Sequence, residues 1–175
     1  MRVKDLDFDI YLTQEVIQQE LVGLATTINQ DFADKEPIFV AVLNGAFIFM
    51  ADLARHITIP SEITFVKVKS YDQLQSTGEH REFIGLEVPV RDRHVVIVED
   101  IVDSGNTIKF LLEQFEQQSP RSISIATLLF KPHALRHDLN LSYVGFRIPN
   151  DFVVGYGLDY DGFGRNLPDI YKIAD

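Results

Sequence analysis

The stretch Val95-Val96-Ile97-Val98-Glu99-Asp100-Ile101-Val102-Asp103-Ser104-Gly105-Asn106-Thr107 decides the fold. Its first four residues are all branched and apolar, with no polar side to turn toward water. Such a run suits a strand covered on both faces, as in parallel sheets. With His94 ahead of it, the pattern predicts a strand over 94–98 and then an acidic turn, EDIVDSG. A helix follows from Asn106 to about Gln118, with Ile108, Leu111, Leu112 and Phe115 as its apolar face. In open α/β sheets, ligands sit outside the carboxyl ends of strands, so this turn is where chemistry is expected.

Two features overlap there. Asp103, Ser104, Gly105, Asn106 and Thr107 open a helix, whose unpaired N–H groups and partial positive charge suit a phosphate. Gly105 permits close backbone approach, and Ser104 and Thr107 add hydroxyl donors. Taken alone, the same residues could be an ordinary Asp or Ser helix cap. The second feature is the acidic pair Glu99-Asp100, which would repel a phosphate unless it serves another group. A ribose diol offers two O–H donors to carboxylates, and Mg²⁺ with its waters takes oxygen ligands. Together the two features suggest a phosphorylated sugar with a metal nearby.

Outward from this stretch the chain alternates. On the N-terminal side, Thr13 reads as the cap of a helix to about Phe32, with Val16, Ile17, Leu21, Leu24, Ala25 and Ile28 on one face. IFVAVL (38–43) is a second buried-strand run, broken by Asn44-Gly45 and followed by a helix-like AFIFMADLARH. ITFVKVK (63–69) reads as a strand, and SYDQLQSTGEHRE after it reads as a mobile loop. On the C-terminal side SISIATLLF is a strand, with shorter strands near 143–146 and 152–156. Strand–helix–strand order with continuous apolar strands predicts an α/β fold, a mainly parallel twisted sheet flanked by helices. The 175 residues, with no repeat or linker, are read as a single domain over 1–175.

Composition narrows the function. The chain has no cysteine, so there is no disulfide framework, and a reducing, cytoplasmic setting is the simplest reading. No segment has the form of a secretion signal or a membrane span. A formal net charge of −10 works against nucleic-acid binding and leaves a phosphate ligand to local devices. Rival motifs fail. No Gly-x-x-x-x-Gly-Lys-Ser/Thr occurs, and Gly155-Tyr156-Gly157 lacks the third glycine of a dinucleotide loop. His133 and His137 are four apart, but Pro132 precedes the first and no Glu follows it, which argues against zinc.

The stretch 98–107 closely resembles the signature of type I phosphoribosyltransferases, which bind phosphoribosyl pyrophosphate (PRPP). Further landmarks run in family order along nearly the whole chain: Leu43-Asn44-Gly45-Ala46-Phe47, Lys69-Ser70-Tyr71, Leu128-Leu129-Phe130-Lys131, and Phe152-Val153-Val154-Gly155-Tyr156-Gly157-Leu158-Asp159-Tyr160. The likeness is to the purine-salvage branch of that family.

It implies a hood built from terminal segments, a mobile lid carrying Ser70 and Tyr71, and Mg²⁺ as cofactor. It implies that Ser104, Gly105, Asn106 and Thr107 hold the 5′-phosphate, that Glu99 and Asp100 face the ribose hydroxyls and metal, and that Asp103 is the general acid/base near purine N7. By the same resemblance Lys131 donates to the 6-oxo group, Phe152 stacks on the base, Val153 reads its edge with backbone atoms, and Asp159 is a metal ligand beside the purine. Asn44, Gly45 and Arg165 are assigned to the pyrophosphate. This chain departs from many relatives in carrying Asn44 where they have Lys, in a loop that often holds a cis peptide.

The implied reaction forms IMP, and GMP from guanine, with release of pyrophosphate. A xanthine-preferring transferase remains open on sequence. A non-catalytic PRPP-binding regulator of RNA would want a basic face, which the charge opposes. The implied partners are small molecules, with no nucleic acid and no membrane, and the family forms dimers and tetramers.

Overall fold

The computed structural model describes residues 1–71, 80–86 and 88–174. Two sheets organise them. The larger has strand order β5-β4-β3-β6-β7-β8, built from β3 (Ile38–Leu43), β4 (Glu62–Tyr71), β5 (His80–Ile84), β6 (His94–Val102), β7 (Ser122–Phe130) and β8 (Tyr143–Arg147). Pairings β4·β3, β3·β6, β6·β7 and β7·β8 are parallel, and only edge strand β5 runs antiparallel to its neighbour. The mainly parallel sheet read from the apolar runs is therefore what forms.

Helices cover both faces, and strand alternation sorts the core accordingly. Phe39, Ala41, Val96, Val98, Ala126 and Leu128 share one apolar cluster with α1 (Gln14–Asp31) and α2 (Phe47–Ala54). Ile38, Val40, Val42, Val95, Ile97 and Ile125 share the other with α3 (Asn106–Glu116). Thr13 caps α1, its hydroxyl accepting from the Val16 N–H at 3.5 Å.

The smaller sheet, ordered β1-β2-β10-β9, is antiparallel and joins the two ends of the chain. β1 (Arg2–Val3) and β2 (Leu6–Leu12) come from the start, and β9 (Val153–Val154) and β10 (Ile170–Ile173) from the end. Phe8 and Val154 are completely buried beneath it. This is the hood of terminal segments, and it carries the 152–165 segment to the carboxyl end of the large sheet.

Several expectations need correction. Glu99 and Asp100 are not in a turn: β6 continues through Val102, so the acidic pair lies inside a strand. The parallel ladder to β7 persists beyond them, with Ile101 opposite Leu129 and Val102 opposite Phe130, and this pairing overrides the polar composition. The two ends of the loop read over SYDQLQSTGEHRE lie in strands instead. Ser70 and Tyr71 are the last residues of β4, and backbone pairing brings Ser70 opposite Arg81 and Tyr71 opposite His80. Residues 72–79, on which the lid reading also rested, lie outside the described residues. Val16 is 41% exposed and does not join the buried face of α1. α2 is only eight residues long, ending at Ala54.

Leu111 is fully buried on α3 against the sheet. Leu111→Ala should lower unfolding free energy by about 2–5 kcal/mol, the usual cost of a core cavity. Urea unfolding checks it, and a loss below about 1 kcal/mol would mean the helix does not pack as described.

Candidate active site

The site assembles where β3, β6 and β7 end. Beyond β6 the backbone turns through Asp103 and Ser104 into Gly105, which caps α3 with φ +80°, the left-handed region that favours glycine. Gly105 itself offers no side chain to cap α3, and the Asn106 N–H donates to the Ser104 hydroxyl at 3.4 Å. This turn lines a concave pocket whose wall runs from Glu99 through residues 101–108. The expected phosphate residues Ser104, Gly105, Asn106 and Thr107 are all in that wall.

The acidic pair is buried: Glu99 is 8% and Asp100 7% exposed. Burial pushes the Glu99 carboxyl well above the usual range, with the Asp100 charge and a hydrogen bond to Asp100 adding to it. Burial raises Asp100 as well, while hydrogen bonds from Glu99 and the local backbone, and the Arg165 charge, pull against it. Glu99 Oε2 is buried without a hydrogen-bond partner, an orphan acceptor where a ligand donor or cation would fit. Oxygen-only donors suit Mg²⁺. Among the described residues no group of three or more His, Cys, Asp or Glu side chains is placed to hold a metal ion.

β3 ends in the Asn44-Gly45 turn, and the Leu43–Asn44 peptide bond is cis. A Cβ on Gly45 would fall 1.8 Å from Asp100 Oδ2, so only glycine lets this turn lie against the acidic pair. Lys67 Nζ reaches Asn44 Oδ1 at 3.5 Å, which puts a cation of β4 beside the position where relatives carry their own. From the opposite side, Gly157 packs on the same turn. Its φ is +100°, and an added Cβ would lie 2.2 Å from the Gly45 carbonyl oxygen.

At the end of β7, Lys131 is 8% exposed, and its Nζ lies 3.1 Å from Asp103 Oδ2. A surface lysine is thus ruled out. The Asp103 side chain stays 54% exposed, open to the site. Phe152 is 42% exposed, propped by Phe8 and Tyr160 at centroid distances of 6.2 and 5.7 Å, so one aromatic face is on offer rather than in the core. Neighbouring Val153 is buried. Asp159 accepts from the Gly162 N–H at 2.6 Å and pairs with Arg165 at 2.5 Å. Arg165 also donates to the Gly157 carbonyl at 2.7 Å. Asp159 and Arg165 are therefore one unit.

Sequence reasoning missed three contributors. Asp52 of α2 accepts from Tyr156 at 2.7 Å and from Gln18 at 2.7 Å, tying the 155–157 turn to both helices. His137, considered only as a metal ligand, sits 2.6 Å from Asn106 Oδ1. Lys67 lay in an apparently ordinary strand. None carries a local sequence signal, because each depends on a partner far along the chain.

The sequence matches the phosphoribosyl transferase domain family over residues 7–161, in keeping with a mainly parallel sheet that carries an acidic pair near its carboxyl edge. The chain is 41% identical over 160 residues to the hypoxanthine-guanine phosphoribosyltransferase of Bacillus subtilis, covering 91% of this chain and 89% of that protein. It is 37% identical over 169 residues to the hypoxanthine phosphoribosyltransferase of Salmonella typhimurium, covering 95% of each. A hypoxanthine-guanine phosphoribosyltransferase from Bacillus anthracis superposes with a TM-score of 0.85 at 37% identity, over 96% of this chain and 100% of that one. The Trypanosoma cruzi hypoxanthine phosphoribosyltransferase, solved with its product IMP, gives a TM-score of 0.86 at 32% identity, over 99% and 97%. The chain belongs to the hypoxanthine-guanine phosphoribosyltransferases, a family of enzymes.

The buried Glu99 has a consequence for stability. Below the unfolded value of about 4.5, folded and unfolded chains both hold the proton and there is no penalty. As pH rises, the unfolded chain ionises while the fold still resists, so stability falls until the raised folded value is passed. Ligand-free Glu99→Gln should therefore gain stability relative to wild type as pH is raised from about 4.5 toward neutral in urea unfolding. A difference that stays constant over that range would mean the carboxyl ionises freely in the fold.

Proposed function

We propose that this chain joins N9 of hypoxanthine, and of guanine, to C1′ of PRPP, releasing pyrophosphate and forming IMP or GMP. The observation that carries this reading is the Lys131–Asp103 pair beside the α3 turn. One site thereby combines a cation for a 6-oxo group, a carboxylate for a ring nitrogen, and amides for a sugar phosphate. Among relatives, the T. cruzi enzyme has been solved with IMP.

In this reading the 5′-phosphate lies on the turn formed by Ser104, Gly105, Asn106 and Thr107, where amide and hydroxyl donors meet it. The ribose diol donates to Glu99 and Asp100, giving the orphaned Glu99 oxygen a partner. Gly45, Asn44 and Arg165 hold the diphosphate. The purine stacks on Phe152, its edge meets the backbone of Val153, and O6 accepts from Lys131 Nζ. Mg²⁺, arriving with PRPP and held through carboxylates of Asp159 and the acidic pair, would supply charge neutralisation for the leaving diphosphate. Ser70 and Tyr71 are assigned to a cover over the site on the resemblance alone.

The N9–C1′ bond forms as the C1′–oxygen bond to pyrophosphate breaks. N9 gives its lone pair, and the proton on N7 passes to Asp103. Positive charge grows on the ribose and negative charge on the departing oxygen, and Arg165 faces the latter. Lys131 leaves Asp103 for O6 when the base enters. That exchange frees the Asp103 carboxylate to accept the proton. The cysteine-free composition suits a cytoplasmic setting, and assembly into dimers or tetramers is the expectation of the family.

The test is a coupled assay of PRPP and Mg²⁺ with hypoxanthine, guanine, xanthine and adenine, following nucleotide formation. Turnover with none of the 6-oxopurines would reject the reading. Asp103→Asn should lower kcat by about 10²–10⁴-fold while largely keeping PRPP binding, the range for a positioned acid–base group. Wild-type kcat in that variant would remove Asp103 from the proton path. Lys131→Ala should cut kcat/KM for hypoxanthine by about tenfold or more, because a charge-assisted hydrogen bond is lost. Unchanged kinetics would put the 6-oxo group elsewhere.

A further inference from the structure

The segment after β7 closes back on the α3 turn at two points. The Arg136 N–H donates to the Ser104 carbonyl at 3.0 Å, and the His137 ring meets the first residue of α3, with Nε2 2.6 Å from Asn106 Oδ1. Leu135, Leu139 and His137 also crowd Gly105, since a Cβ there would lie 2.9, 2.7 and 3.7 Å from their side chains. A carboxamide oxygen only accepts, so His137 Nε2 carries the hydrogen of this bond. With Oδ1 engaged, Nδ2 is the end of the amide left to serve an anion, and Asn106 lines the pocket at the turn. An amide turned the other way would present its oxygen to the phosphate and repel it.

We propose that His137 is a positioning residue for the sugar-phosphate site, fixing the Asn106 carboxamide by its oxygen so that Nδ2 donates to the 5′-phosphate. The inference rests on the reading of residues 104–107 as the phosphate cradle, and it gives the 131–139 segment a role in PRPP affinity. The imidazole touches neither phosphate nor base. Its effect passes entirely through Asn106, which separates it from a merely structural contact.

Steady-state kinetics on His137→Ala, His137→Gln, Asn106→Ala, the double His137→Ala/Asn106→Ala variant and Thr107→Ala test it. His137→Ala should raise KM for PRPP roughly fivefold, the equivalent of one neutral hydrogen bond, with KM for the purine within about twofold of wild type. Gln at 137 keeps a donor within reach and should restore most of the PRPP affinity. In the Asn106→Ala background, removing His137 should add nothing further. An unchanged KM for PRPP in His137→Ala, or an equal rise with and without Asn106, would overturn the proposal. Thr107→Ala separates the two levels. If it raises KM for PRPP, the cradle reading stands whatever His137 does, and if it has no effect, the cradle reading falls and this proposal with it.

Discussion

Two adjacent carboxyls buried at the end of the sheet's central strand are the constraint from which the rest of the site follows. Nothing in folding alone favours Glu99 and Asp100 there, because desolvation penalises both and leaves one oxygen without a partner. The surrounding backbone is shaped to tolerate them. Gly45 lacks the Cβ that would strike Asp100, and Gly157 lacks the one that would strike Gly45. Three strand ends are thus stacked through two glycines at distances no other residue permits. Cost in the free protein and readiness for a diol or a cation are the same fact seen from two sides.

The hood supplies what the large sheet cannot. A parallel sheet presents turns and amides at its carboxyl edge, but a flat aromatic base also needs a wall. Pairing β2 with β10, and β10 with β9, draws both ends of the chain together. That pairing sets Phe152 against Phe8 and carries Asp159 and Arg165 over the Asn44-Gly45 turn. The Asp52–Tyr156–Gln18 bonds then fix the hood to α1 and α2. Strand pairing between the two ends of the chain thereby sets where Phe152, Asp159 and Arg165 stand relative to the large sheet.

The strands were legible because Ile38–Leu43 and Val95–Val98 are apolar without interruption, and a doubly covered sheet accommodates such runs. α3 was legible from the spacing of Ile108, Leu111 and Phe115. The strand-to-helix turn was legible too, with Gly105 at the start of α3 as the sequence placed it. The failures share a cause. Glu99 and Asp100 looked like turn residues because local polarity was weighed and the ladder to β7 was not. β5 was taken for loop because its pairing with β4 is set by a partner strand rather than by its own alternation. His137 and Lys67 gained meaning only from Asn106 and Asn44, which lie 31 and 23 residues away. The roles of Lys131, Phe152 and Arg165 came through resemblance, since residue type alone would have put each of them elsewhere.

A chain of net charge −10 must hold a ligand with several phosphate groups, and the ion pairs suggest how. Lys131 and Arg165, the two cations assigned to substrate, each rest on a carboxylate of the same site, Asp103 and Asp159 respectively. Neither is an unpaired charge waiting in a buried pocket, which would be costly. Under the proposed roles, binding is an exchange of partners in which each cation passes from a protein carboxylate to the ligand. In that proposal Asp103 takes the purine proton, so the base that draws Lys131 away also uncovers the group that deprotonates it. The proposed phosphate cradle relies instead on backbone dipoles at the start of α3, whose direction is fixed by the fold. In that proposal attraction of the anion is local, as a net charge of −10 requires.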